Sequence, residues 1–213
     1  MRRRVLIAAL AAVMAAGLLL PGCEKKEFDA ATYVQAMMDA TYHDSPEGFV
    51  EMELGKKSDA EKMHDETVDA LTEALSDILG EGINEDIKKS LRKTVDSLCM
   101  KTDYEVGEAL EDNGVYKVEV NIKPLELSSA FEGEEFNKQA EEAVKASMKD
   151  KKDITEEELS SVLTRLLVQQ LQKVEKEPTY SGEQTVTVTV RKKDDLYEIP
   201  AADWEVVDQR LIR

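Results

Sequence analysis

From Phe28 to Cys99 the apolar residues recur at three- and four-residue spacing, the period of an amphipathic helix. Val34, Met37, Met38 and Tyr42 share one face of a helix expected over about 28–43, and Pro46 breaks it. A short second helix is expected over 47–54, ending at Gly55. Ser58-x-x-Glu61 has the form of a capping box, in which hydroxyl and carboxylate each satisfy a free backbone amide. Behind it Ala60, Met63, Thr67, Leu71, Ala74, Leu75 and Ile78 carry the stripe to Gly80. After Asn84 the stripe resumes at Ile87, Leu91, Val95, Leu98 and Cys99. Beyond Met100 the period becomes two, which signals half-buried strands. Tyr104, Val106 and Leu110 lead into Asp112-Asn113-Gly114, a hairpin turn of residues that tolerate positive φ, and Val118, Val120 and Ile122 return to Pro124. Helical spacing reappears over about 129–149 with Phe131, Phe136, Ala140, Ala143 and Val144. A second box, Thr155-x-x-Glu158, opens the strongest stripe: Leu159, Val162, Leu163, Leu166, Leu167, Leu171 and Val174, closed by Pro178. Thr and Val alternate from Thr185 to Val190, Lys193-Asp194-Asp195 turns, and Leu196 to Ile199 returns. Trp204, Val207 and Leu211 indicate a last short helix.

This order predicts an α+β fold: N-terminal helices packed on a four-stranded antiparallel sheet, with a helical pair inserted between two β-hairpins. The Val faces should bury the helical stripes, while the Thr, Lys and Glu faces meet solvent or line a groove. Leu166 and Leu167 are expected to span the core, one toward the sheet and one toward the helices or a partner. No internal repeat is present, so residues 28–213 are expected to form a single domain.

The first 22 residues have another purpose. Met1-Arg2-Arg3-Arg4 is basic, Val5 to Leu20 is apolar, and Leu20-Pro21-Gly22-Cys23 follows at once. That is the order of a secretory signal peptide, and the apolar stretch is short for a membrane span, which needs roughly 20 residues. The four residues ending in Cys23 have the form of a bacterial lipobox. The thiol would take a diacylglycerol, with acyl chains such as palmitate, and the chain would be cut just before it. Residues 23–27 then form the lipidated cysteine and a short tether. Two or three acyl chains hold a protein firmly at a membrane, so the expected location is the extracytoplasmic face of the cell membrane, anchored through Cys23.

Charge narrows the partners. The leader carries three of the 28 basic residues and none of the 45 acidic ones, so its removal takes the formal charge from −17 to −20. That excludes a nucleic-acid binder and disfavours a polybasic membrane-surface binder, both of which need positive charge facing phosphates. With only Cys23 and Cys99 present, a disulfide scaffold is excluded as well.

Candidate chemistry is sparse. His43 and His64 have no histidine three or four residues away, so they read as surface or boundary residues; no metal and no cofactor is expected. Cys99 lies on an apolar face, where a thiol is inert, and reads as a small core residue. No Gly-x-Ser-x-Gly, calcium loop or Gly-rich phosphate loop occurs. No catalytic residue is assigned, and the chain is not expected to be an enzyme.

The layout resembles small, mostly clostridial bacterial lipoproteins of a domain-of-unknown-function family, family 5105. The resemblance rests on the leader and lipobox, the helix Tyr33-Val34-Gln35-Ala36-Met37-Met38-Asp39-Ala40-Thr41-Tyr42, and the strand Tyr116-Lys117-Val118-Glu119-Val120 followed by Lys123-Pro124-Leu125. Two acidic helices and a closing hairpin with Tyr197 complete it. It implies a cone-shaped domain similar to nuclear-transport-factor-2-like or cystatin-like folds, and no known activity. The reading is a non-catalytic, lipid-anchored domain that binds an envelope protein or a small ligand between sheet and helices. Tyr33, Tyr104 and Tyr116 are the candidate pocket-lining residues. The alternative is a structural or assembly factor of the cell envelope acting through the helical pair; an enzyme with an unrecognised site is a third class.

Overall fold

The structure is a computed structural model that describes residues 28–79, 83–128, 131–148, 153–194 and 196–212. The expected signal peptide, lipobox and tether, Cys23 included, lie outside the described residues.

Helix α1 (Ala30–Tyr42) begins at Asp29, whose carboxylate accepts the Thr32 amide and so satisfies one of the free donors of the first turn. Nine of its thirteen residues are buried, so it is a central helix and not a surface one. Short α2 (Glu47–Glu51), long α3 (Lys57–Leu79) and α4 (Glu85–Cys99) follow. Asn84 caps α4 by accepting from Ile87 N. At α3 the capping box expected at Ser58 and Glu61 is displaced. The helix opens at Lys57, and the Asp59 carboxylate accepts from Lys56 N at 2.8 Å. A charged acceptor near the positive end of the helix dipole outcompetes the serine hydroxyl.

Strands β1 (Asp103–Asp112), β2 (Val115–Lys123), β3 (Gln184–Lys193) and β4 (Leu196–Glu198) form one antiparallel sheet in the order β1-β2-β3-β4. The first turn is Asn113 and Gly114, both at positive φ, as its Asn-Gly chemistry requires. The β1–β2 register shifts between Val106 and Ala109, and Gly107 sits there; a Cβ on it would lie 3.2 Å from Glu119 O. Val118 and Val120 face Val188 and Val186 across β2–β3. Lys117, Glu119, Thr185 and Thr187 on the opposite face are exposed. Helix α7 (Ala201–Leu211) follows β4.

The apolar residues divide into two cores. The first joins Val34, Met37 and Met38 of α1 with Val118, Val120, Ile122, Val188 and Val190 of the sheet and Trp204, Val207 and Leu211 of α7. The second joins Val68, Leu91, Val95, Leu98 and Cys99 with Leu125, Leu127, Val168, Leu171 and Val174. The helical pair is α5 (Glu134–Ser147) and α6 (Glu156–Lys176), and Thr155 and Glu158 form the expected reciprocal cap.

Leu166 and Leu167 do not span a core between sheet and helices. Leu166 is buried and Leu167 half-buried, but α6 packs mainly on α4 and α5. The Val face is already covered by α1 and α7, so the pair finds no apolar sheet surface there. Helix α5 starts later than its apolar spacing suggested and has no buried residue at all.

Connectivity gives the domain two poles. Both hairpin turns, between β1 and β2 and between β3 and β4, lie at one end of the sheet. The connections from α4 to β1, from β2 to α5 and from α6 to β3 lie at the other, where Leu125 and Leu127 enter the second core.

Candidate functional site

Helix α1 carries a side-chain cluster at each of its ends. At the hairpin pole Phe28 stacks on Tyr197 with ring centroids 3.4 Å apart and planes 3° from parallel. It also meets Tyr116 edge-on at 5.4 Å and Tyr33 at 5.6 Å. The Tyr33 hydroxyl donates to the Tyr197 carbonyl at 3.1 Å, and burial, with help from Glu198, pushes its pKa up to about 12. Tyr33 and Tyr116 therefore pack into a filled aromatic cluster.

Tyr104 is elsewhere. It pairs with Ile122, six residues along β2 from Tyr116, which is roughly 20 Å of strand. Its hydroxyl donates to Asp39 Oδ1 at 2.7 Å, and its ring stacks on His43 at 4.7 Å. The three tyrosines expected to line one pocket thus belong to two clusters at opposite ends of α1. The alternating pattern grouped Tyr104 with Val106 and Leu110, but the register shift between Val106 and Ala109 turns Leu110 to the solvent side opposite Lys117, and periodicity says nothing of distance along a strand.

Around Tyr104 the polar groups satisfy one another. Gln35 Nε2 donates to Asp39 Oδ1 at 2.8 Å, and His43 Nε2 lies 3.0 Å from the Thr102 carbonyl. Burial tends to raise the Asp39 pKa, but hydrogen bonds from His43, Gln35 and Tyr104 outweigh it and hold the carboxyl below its ordinary value. The same hydrogen bond to Asp39 raises His43 against the opposing effect of burial. Tyr104 is pushed far up, chiefly by burial and then by Asp39. A carboxylate held by three donors is a poor general base, and the cluster works as a clasp between the end of α1 and the start of β1.

Three further groups carry signals that spacing could not show. Tyr42 donates a short hydrogen bond to Asp208 of α7. Burial raises the Asp208 carboxyl to about 6 and the Tyr42 hydroxyl well above its ordinary value. His64 is buried at 4 % exposure, not a surface or boundary residue. Its Nδ1 meets the Thr41 carbonyl at 3.1 Å and its Nε2 meets Asp96 Oδ1 at 2.9 Å, so it links α1, α3 and α4.

Cys99 is fully buried in the second core, and burial pushes its thiol up to about 12, so the nucleophilic thiolate is suppressed. Thiol reagents should accordingly label the folded domain slowly and the urea-unfolded domain fast. Equal rates in the two states, followed by absorbance of the released chromophore, would contradict this burial. Between α4 and α6 lies an open groove of about 290 Å³, lined by Asn84, Asp86, Ser90, Arg165 and Gln172 among others. Among the described residues no three His, Cys, Asp or Glu side chains are placed to hold a metal ion. Among them, too, no helix is long and apolar enough to cross a membrane.

Fold and clusters together define an α+β domain with one sheet face closed by helices and the other open. No family model and no curated protein matches the chain. Its fold is similar to that of a Bacillus subtilis protein, YcdA, whose crystal structure is described as that of a candidate lipoprotein. The TM-score is 0.58 at 16 % identity over 87 % of this chain. The match spans 56 % of that protein, so this chain corresponds to about half of its length, and at this identity the likeness is one of fold.

Proposed function

We propose that this chain is a lipid-anchored extracytoplasmic protein whose domain is non-catalytic and binds a protein partner of the cell envelope. Anchoring rests on the basic and apolar leader followed by Leu20-Pro21-Gly22-Cys23, five residues before the first described residue, Phe28. The fold likeness to a candidate lipoprotein supports it. The observation that carries the binding reading is that each of the three candidate tyrosines is engaged by other side chains of the domain. Tyr33 and Tyr116 pack on Phe28, and Tyr104 packs on His43 and Asp39. That leaves outer surfaces, not a tyrosine-lined pocket, to meet a ligand. The resemblance to the domain-of-unknown-function family agrees with this reading and adds no activity to it.

A second reading, an envelope assembly factor, draws on the helical pair. Leu159, Leu163 and Leu167 of α6 and Phe136 and Val144 of α5 are only half-buried. A row of incompletely covered apolar side chains is what a partner helix would cover.

Mass spectrometry of the membrane-extracted protein tests the anchor. A diacylglyceryl thioether on an N-terminal Cys23 is expected, and Cys23→Ala should move the protein out of the membrane fraction or leave its leader uncut. A free Cys23 thiol in the membrane-extracted protein would overturn the anchor.

A further inference from the structure

The chain between Cys23 and the domain is very short. Four residues separate Cys23 from Phe28. Five Cα steps at roughly 3.3–3.6 Å each reach at most about 18 Å. Phe28 is not a free end, because it stacks on Tyr197 and meets Tyr116 and Tyr33. Tyr116 follows the β1–β2 turn and Tyr197 follows the β3–β4 turn. The tether is therefore fastened at the hairpin pole.

We infer that the hairpin end of the sheet is the membrane-facing pole of the domain, seated at the lipid headgroups, with the helical lobe of α4, α5 and α6 directed away from the bilayer. This rests on the lipid-anchor reading of Cys23. Topology enforces the second half, since every connection between that lobe and the sheet is made at the opposite end of the strands. Strand β1, with ten residues, keeps the poles roughly 30 Å apart, more than the tether can span.

The chemistry of the hairpin pole suits such a place. Leu110, opposite Lys117 near the first turn, is 68 % exposed. Lys117, Arg191 and Lys193 lie on the strands around it in a chain with 45 acidic and 28 basic residues. Arg191 and Lys193 pair with Glu198, so this end is locally close to balanced in charge and repels anionic headgroups little. Glu111 and Asp112 share the pole, so the tether, not charge attraction, sets the orientation. A consequence is that the half-buried apolar row of the helical pair and the groove between α4 and α6 are presented to the envelope, free of the bilayer.

Energy transfer decides it. The full-length lipidated protein is made as two single-site variants, Asp112→Cys at the hairpin pole and Lys89→Cys at an exposed position of α4, and each is labelled with a donor dye. Cys99 is buried and the Cys23 thiol is consumed by lipid, so neither competes for the dye. The proteins are reconstituted into phosphatidylethanolamine–phosphatidylglycerol vesicles with an acceptor dye on the headgroups. Transfer severalfold stronger from position 112 than from position 89 is expected. Equal or reversed transfer in protein that floats with the vesicles overturns the orientation and leaves the anchor intact. Protein that does not float overturns the anchor, and this inference with it.

Discussion

Leu171→Ala should lower the free energy of unfolding by about 2–5 kcal/mol, the range for emptying a packed leucine site. Leu171 is 2 % exposed and belongs to the second core with Val68, Leu91 and Leu125. Its neighbours come from α3, α4 and the segment after β2, elements tied down elsewhere, so the site cannot collapse onto a smaller side chain. Urea melts of residues 28–213 check it. Leu110→Ala is the internal control: at 68 % exposure it should change stability by no more than about 0.5 kcal/mol. A Leu171→Ala melt as small as the control's would mean that the helical pair does not hold the second core together. Because Leu171 and Val190 belong to different cores, their alanine variants should add in the double variant to within about 0.5 kcal/mol.

Asp208→Asn is expected to stabilise the domain at neutral pH. Burial raises the carboxyl from 3.8 to about 6, so the folded state holds its proton more tightly than the unfolded chain does. The stability this linkage contributes is fully present below the unfolded value of 3.8, and it is lost as pH rises through about 6. Above that, the domain carries a partly desolvated charge that costs about 1–3 kcal/mol at ~1.4 kcal/mol per pKa unit. Asparagine removes the charge, and its amide oxygen can still accept from the Tyr42 hydroxyl. The gain of Asp208→Asn over the parent should be near zero at pH 3.5, grow between pH 4 and 6, and level off above. Melts at several pH values give the curve. A difference independent of pH, or one growing toward acid, would show that Asp208 is not the buried group described.

Helices and strands were legible in the chain because each buries a face at its own period. The Thr–Val alternation of β3 and the Asn-Gly turn after β1 need no tertiary information. What periodicity missed in α3 is instructive. Its buried positions include His64, expected at the surface or boundary, and Thr72, which lies off the apolar stripe, besides Thr67, which lies on it. Thr67 and Thr72 donate to the carbonyls four residues earlier, Met63 and Val68, and His64 finds partners on α1 and α4. A polar side chain that satisfies itself locally is inexpensive to bury, and a hydrophobic pattern cannot reveal it. The three tyrosines fall in two clusters for a related reason. Tyr33, Tyr104 and Tyr116 were grouped as one lining, but which aromatic rings meet depends on strand register and on the path of α1.

The α+β class, the two hairpins, the helical pair between them, the burial of Cys99 and the acidic balance of the chain were all readable from the order of residues. All of these follow from local period, turn chemistry and composition. Tertiary structure decided that α1 and α7 close the sheet, that α5 and α6 stand on α4 in a core of their own, and that Phe28 is fastened at the hairpin pole. The reason is competition. Several apolar stripes, the strong one of α6 among them, could each have covered the Val face, and only the order of connections and the space left after α1 had docked settled which ones did.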